Sequence, residues 1–279
     1  MSGTMKIVVV GLGLIGGSIA KALKLYSSHE VLGMDTNEEA LLDACSCGAV
    51  DGKAGADDLR TADLVYLCVY PKAALQFAES CGPLLKEGCI LTDTCGIKGE
   101  ICTEMKRLQG SGQYIFVAGH PMAGKEKSGF SASEASLFSG ASYLIAPCGA
   151  PQQAVETVSE LARLMGFAKI VLTTPEQHDR VIAFTSQLPH VLACSYVMSP
   201  RCLEHKGFSA GSYRDVSRVA DINGELWASL FLENRTSLLE EIDELQKNLS
   251  LFRAALAEEN EEGLRALLDT AAQIKRTEG

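Results

Sequence analysis

The sequence predicts an α/β fold: an N-terminal, mainly parallel sheet covered by helices on both faces, followed by an all-α C-terminal part. Three observations carry this. From Lys6 to about Thr173, short runs rich in β-branched residues alternate with helical patterns, the mark of strands joined by crossover helices. Beyond Pro175 the strand patterns stop. The 279 residues, 47% of them hydrophobic, suffice for two ordinary cores, and the expected division is 1–173 and 174–279.

Along the chain the strands fall on KIVVVG, HEVLGMD, DLVYLCVY, CILTD, YIFVAGH, SYLIAP and AKIVLTT. The C-terminal part reads as helix nearly to its end, with turn-like breaks expected at Leu188-Pro189 and over Lys206 to Ser212. Leu238, Ile242, Leu245, Leu249, Phe252 and Leu256 recur at spacings of four and three, which places them in one apolar stripe along a long helix. So regular a stripe on so small a domain suits a partner subunit as well as an internal core, and a homodimer through the helical domain is expected.

Charge and composition narrow the partners. Lys and Arg total 25 against 35 Asp and Glu, a net charge of -10 that disfavours nucleic acid and anionic membranes. The apolar run after Lys6 is too brief and glycine-rich for a signal or spanning helix, so the protein is expected to be cytoplasmic. The ten cysteines lie mostly in apolar or helical patterns, as reduced, buried thiols do. Only Cys45 and Cys47 form a close pair, without a second pair or histidine at zinc spacing, and no metal site is expected.

The stretch KIVVVGLGLIGGSIAKAL sets Gly11, Gly13 and Gly16 in a G-x-G-x-x-G frame after a buried strand and at the mouth of a helix. Gly11 serves the tight turn, Gly13 the close approach of a pyrophosphate, and Gly16 the packing of helix on strand. The helix start at Leu14 and Ile15 offers free backbone N–H groups and a positive dipole end to the phosphates. The second strand ends in Asp35, where a carboxylate accepts hydrogen bonds from the ribose hydroxyls of NAD, and no cation follows it in DTNEEA to welcome a 2′-phosphate. A Rossmann-type domain binding NAD is therefore expected, with NADP disfavoured.

A bound nicotinamide needs a reacting group at the carboxyl ends of the strands, where His120 and Asp93 both fall. Histidine, titrating near ~6.5, suits the acceptance of a hydroxyl proton as hydride leaves the same carbon. In order along the chain come GLGLIGGSIAKAL, TDTCGIKG, GHPMAGKEKSG, TSQLPHVLA and SYRDVSRVADINGELWASLFLENR. Together these blocks resemble prephenate dehydrogenase, including its relatives that act on arogenate, over nearly the whole chain.

The resemblance implies oxidative decarboxylation of a cyclohexadienol, with hydride leaving C4 for NAD as the C1 carboxylate departs as carbon dioxide. It implies His120 as the base on the C4 hydroxyl and His190 as a second histidine touching substrate beside Ser186. Arg218 is implied to grip a substrate carboxylate, a task for a planar bidentate donor. Glu126, Arg214 and Asp215 match an ionic gate around the pocket; a solvated salt-bridge cluster is the plainer alternative. Trp227 falls near the family's pocket or subunit contact, and a core tryptophan is the plainer reading there.

One departure concerns the base. Where many members of that family place a serine whose hydroxyl orients the histidine, this chain has Gly96 among the substrate-site positions, within Asp93-Thr94-Cys95-Gly96-Ile97-Lys98. Thr94, Cys95 or a backbone group could hold the imidazole instead, and the sequence leaves the choice open. The sequence also ends soon after its helices, so no separate effector domain is expected; tyrosine could still compete in the site. Prephenate is the expected substrate. Arogenate, or the substrate of a β-hydroxyacid dehydrogenase-like enzyme, are the alternatives, with a turnover-free NAD sensor as the rival from another class.

Overall fold

The computed structural model describes residues 3–110, 113–125 and 127–278. The chain falls into two compact units. One runs to Val181 and takes back Asp221–Glu233; the other holds Ile182–Ala220 and the chain from Asn234 onward.

The first unit alternates strand and helix: β1 (Lys6–Val10), α1 (Leu14–Tyr26), β2 (Glu30–Met34), α2 (Glu38–Ser46), β3 (Gly52–Lys53), α3 (Ala56–Leu59) and β4 (Leu64–Leu67). It continues with α4 (Pro71–Cys81), β5 (Ile90–Asp93), α5 (Gly99–Gln109), β6 (Ile115–Pro121), β7 (Ser142–Ala146), α6 (Gln152–Leu164), β8 (Lys169–Leu172) and α7 (Pro175–Ile182). Among the described residues the strands form one sheet in the order β3-β2-β1-β4-β5-β6-β7-β8. All neighbours run parallel except β6 and β7, whose antiparallel ladder sets His120 opposite Leu144. Seven strands match the expected stretches. The additional β3 pairs only Gly52 and Lys53 with Leu32 and Gly33, too short a segment to show any periodicity in sequence.

The sheet is buried on both faces because its parallel strands are apolar at successive positions, not alternate ones. Ile7 and Val9 pack with Ile19 and Leu23 of α1 and with Val158 and Leu161 of α6. Val8 and Val10 point the opposite way, into a cluster with Phe77 of α4 and Ile101 and Met105 of α5. Each such side chain contributes about 1.5–3 kcal/mol by leaving water. This double cover fixes the carboxyl ends of β1, β2, β5 and β6 on one rim, where the glycine turn, Asp35, Asp93 and His120 emerge.

In the second unit, a π turn at Ala183–Gln187 runs directly into α8 (Leu188–Val197). The break expected at Leu188-Pro189 is absent. A proline interrupts a helix by its missing N–H and the clash of its ring with the preceding turn; here Pro189 occupies the opening turn of α8, just past the wider π turn, where no N–H is required. The second expected break is present as the non-helical stretch before α9 (Gly211–Ser217). Next comes α10 (Gly224–Glu233), which belongs to the first unit. The long α11 (Arg235–Ala257) and α12 (Glu261–Glu278) complete the second unit. No helix among the described residues is long and apolar enough to cross a membrane.

Gly119 shows how tightly the rim is packed. A Cβ there would lie 2.2 Å from the hydroxyl oxygen of Tyr143 and 2.8 Å from the carbonyl oxygen of Asp93. Gly119→Ala is expected to lower the free energy of urea unfolding by about 1–3 kcal/mol. Adding Tyr143→Phe should recover only part, because the Asp93 carbonyl remains; an unchanged midpoint in the single variant would contradict this packing.

Candidate active site

At the glycine turn, Gly11 adopts φ +88°, and a Cβ there would sit 2.5 Å from the carbonyl oxygen of Cys68. Gly16 lies closer still, since its Cβ would approach the Gly11 carbonyl oxygen to 1.8 Å. At Gly13, by contrast, a Cβ would meet nothing within 4 Å. Gly13 caps α1, and the first-turn N–H groups of Leu14, Ile15 and Gly16 lack intrahelical acceptors, as in any helix. Open space before a helix N-terminus fits a pyrophosphate. Asp35 joins this frame: its Oδ2 accepts from the N–H of Leu12 at 2.5 Å and its Oδ1 from that of Asn37 at 2.8 Å. Each oxygen keeps a lone pair for a ribose hydroxyl.

The end of β5 is organised by Asp93, which is fully buried. Its Oδ2 accepts from the Lys98 ammonium at 2.5 Å and from the N–H of Cys95 at 2.9 Å, while its Oδ1 accepts from the N–H of Gly119 at 3.1 Å. Burial, the largest influence, would lower the pKa of Lys98; the charge and hydrogen bond of Asp93, with Cys95 and Cys102, together outweigh it and raise the pKa. Lys98 therefore stands as a cation beneath His120. Burial first, then Lys98, then His178 push the His120 imidazole well below the usual histidine range.

The group that holds this imidazole is neither Thr94 nor Cys95. Thr94 Oγ1 donates to the Leu67 carbonyl at 3.3 Å, and the Cys95 thiol to the Val69 carbonyl at 3.7 Å. A side chain at Gly96 would touch Leu230 of α10, 3.5 Å from the nearest carbon. Instead His120 Nδ1 lies 2.9 Å from Nε2 of His178, the two rings tilted by 53°. His178 Nδ1 lies 2.7 Å from Oδ1 of Asp179. That carboxylate also accepts from the backbone N–H of Lys98 at 2.8 Å and of Gly99 at 2.7 Å, capping the N-terminus of α5. Among the described residues, Nε2 of His120 has no hydrogen-bond partner.

His178 and Asp179 were not singled out from sequence. Their helix is signalled locally: Thr174 Oγ1 accepts from the Gln177 N–H at 3.2 Å as an N-cap, Pro175 takes the first helical position, and Glu176 follows in the first turn. The adjacent His-Asp pair in PEQHD is the available signal; its target, 58 residues away, is not legible in the sequence.

His190, Arg218, Arg214 and Asp215 lie in the helical unit. His190, in the first turn of α8, places Nδ1 2.7 Å from the carbonyl oxygen of Ser186 in the π turn. A carbonyl only accepts, so Nδ1 carries the hydrogen. Arg218 opens a 3₁₀ turn, Arg218–Ala220, that packs on α8, with the Cys194 thiol 3.9 Å from the Ala220 carbonyl. His190 and Arg218 thus sit on adjoining elements. Arg214 and Asp215 are exposed and 3.9 Å apart, the geometry of a solvated pair within the chain. Trp227, in the first unit, meets Phe231 edge-on at 5.5 Å. Glu126 lies outside the described residues.

Comparison with known proteins agrees over nearly the whole chain. A family model described as "Prephenate dehydrogenase, nucleotide-binding domain" matches residues 19–172, and one described as "Prephenate dehydrogenase, dimerization domain" matches residues 174–270. The cyclohexadienyl dehydrogenase of Zymomonas mobilis is 34% identical over 265 residues, 91% of this chain and 89% of the relative. The prephenate dehydrogenase of Bacillus subtilis is 31% identical over 279 residues, 96% of this chain and 75% of the relative. Among solved structures, prephenate dehydrogenase from Aquifex aeolicus in complex with hydroxyphenyl propionate and NAD+ superposes with a TM-score of 0.88 at 28% identity, covering 100% of this chain and 99% of that one.

The depressed pKa of His120 has two measurable consequences. In an NMR titration its ring protons should shift with a midpoint below the ~6.5 of an unperturbed imidazole. Stability should fall as pH drops below about 6.5, because the unfolded chain then binds a proton that the folded one refuses. A His120 midpoint at or above the ordinary value would contradict the influence of Lys98 and burial.

Proposed function

The chain belongs to the prephenate dehydrogenase family, and from that premise we propose how its residues carry out the NAD-dependent oxidative decarboxylation of prephenate to 4-hydroxyphenylpyruvate, a step of tyrosine biosynthesis. One observation carries the assignment of the base: His120, the residue before the last of β6, lies on the rim of the glycine turn, with Nδ1 engaged and Nε2 without a partner among the described residues. Burial, with Lys98 and His178, keeps that imidazole neutral, which is the form able to take a proton.

In this reading, NAD bound at Gly11, Gly13, Leu14, Ile15 and Gly16 supplies the hydride acceptor, with Asp35 on its ribose hydroxyls. Nε2 of His120 draws the proton from the C4 hydroxyl as the hydride leaves C4. The C1 carboxylate departs as carbon dioxide and its bonding electrons complete the aromatic ring as a phenolate, which takes the proton back from His120 Nε2, so aromatisation drives the step. His190 helps to hold the substrate beside Ser186. Arg218 pairs with a carboxylate, a cation that an otherwise anionic protein must supply locally. Gly96, Glu126 and Arg214 complete the proposed substrate positions. We place the reaction in the cytoplasm, the compartment suited to ten unpaired cysteines.

The helical unit supports a homodimer. In the apolar stripe of α11, Leu238 is buried, whereas Leu249 is 54% and Leu256 64% exposed, and Leu268 and Ile274 of α12 are similarly uncovered. A stripe of this kind is completed by a second copy.

Steady-state assays test the reading. The expected order of kcat/KM is prephenate above arogenate and NAD above NADP; turnover of hydroxy acids in their place would overturn it. His120→Asn should lower kcat about 10²–10⁴-fold with NAD binding intact, and Arg218→Lys should act mainly by raising KM for the substrate. Leu249→Glu combined with Leu256→Glu should convert a dimer to monomer in sedimentation analysis, and a monomeric parent would refute the dimer.

A further inference from the structure

We propose that His178 and Asp179 are positioning residues that fix the tautomer of His120, so that its base is Nε2 and no other atom. The argument follows the hydrogens outward from α5. Both oxygens of Asp179 accept backbone N–H groups at that helix's N-terminus, from Lys98 and Gly99, where the helix dipole favours a carboxylate. A carboxylate so placed accepts from His178 Nδ1 as well, which puts the His178 hydrogen on Nδ1. Neutral His178 then turns a lone pair at Nε2 toward His120, 2.9 Å away. His120 must answer with Nδ1–H, and its own Nε2 is left bare to receive a proton.

The arrangement also prepares for the charge that follows. When His120 takes up the hydroxyl proton at Nε2, its Nδ1–H points at His178, whose far side rests on the Asp179 carboxylate. The positive charge is thereby shared along a line that ends in an anion, opposing Lys98, the cation that disfavours it at rest. Lys98 is itself held by Asp93. Among the described residues the charged and titratable groups around the pair include Asp93 of β5, Cys95 and Lys98 just before α5, His178 and Asp179 of α7, and Glu233 of α10, which acts on Asp179. The chain connects α7, α5 and β6 within one unit, through His178, which is 2% exposed.

The inference rests on His120 being the base, and its test separates the two. In long-range ¹H–¹⁵N spectra of the wild-type protein, His120 should be the Nδ1–H tautomer, a result independent of turnover. His178→Leu should release the ring toward Nε2–H, lower kcat about 100-fold with KM for substrate and NAD affinity little changed, and shift the acid limb of kcat/KM. His178→Gln, whose amide oxygen can accept from Nδ1–H, should restore part of the loss. A wild-type Nε2–H tautomer would overturn the proposal even if His120→Asn is inactive. So would a His178→Leu enzyme of undiminished kcat, or a His178→Gln enzyme no better than the leucine variant. Active His120→Asn with a wild-type Nδ1–H signal would instead remove the base assignment alone. Should the leucine variant not fold, the wild-type tautomer and the glutamine variant still decide.

Discussion

The buried ion pair of Asp93 and Lys98 is the constraint on which the site depends. Removing two charges from water is costly, and such a pair is weak grounds for stability in itself. Here its geometry does a job that an apolar pair could not. One carboxylate ties together the Cys95 amide just after β5, the Gly119 amide inside β6 and the Lys98 side chain that leads into α5. The residue following Gly119 is His120, so the backbone presenting the imidazole is fastened one position away. Lys98 then acts in two directions: its side chain neutralises Asp93, and its backbone N–H joins that of Gly99 on Asp179.

The two histidines assigned to the reaction obey a common rule, although they come from different units. Each has Nδ1 within hydrogen-bond distance of a group inside its own unit, Nε2 of His178 in one case and the Ser186 carbonyl in the other. For His190 the acceptor comes from the π turn, which also accommodates Pro189 and carries Gln187, whose side-chain oxygen accepts from Asn234 at 2.7 Å just before α11. The local irregularity of the helix is thus tied to the histidine it carries and to the long helix behind it.

What the sequence revealed follows from how far each interaction reaches along the chain. The glycine turn is local: Gly11, Gly13 and Gly16 act within one strand, turn and helix, and Asp35 is the end of the next strand. Apolar runs in β1, β4 and β5 announce a sheet covered on both faces because burial on two sides leaves no alternation to misread. His120 was legible from its loop chemistry. His178 and Asp179 were not, because their meaning lies in partners 58 and about 80 residues away, brought near by the sheet order and not by any periodicity. The π turn was missed for a related reason: proline normally signals a break, and only the three-dimensional helix shows that the preceding turn has widened to place it.

The tie between Asp35 and the Leu12 amide joins two properties usually treated apart. The carboxylate that would repel a 2′-phosphate also serves as an internal strut for the glycine turn. Retooling this chain for the phosphorylated cofactor by truncating Asp35 would strand the amide of the buried Leu12 and slacken the cradle being redesigned. An uncharged replacement that keeps an oxygen in the same place, asparagine, is the route that changes selectivity while leaving the scaffold taut.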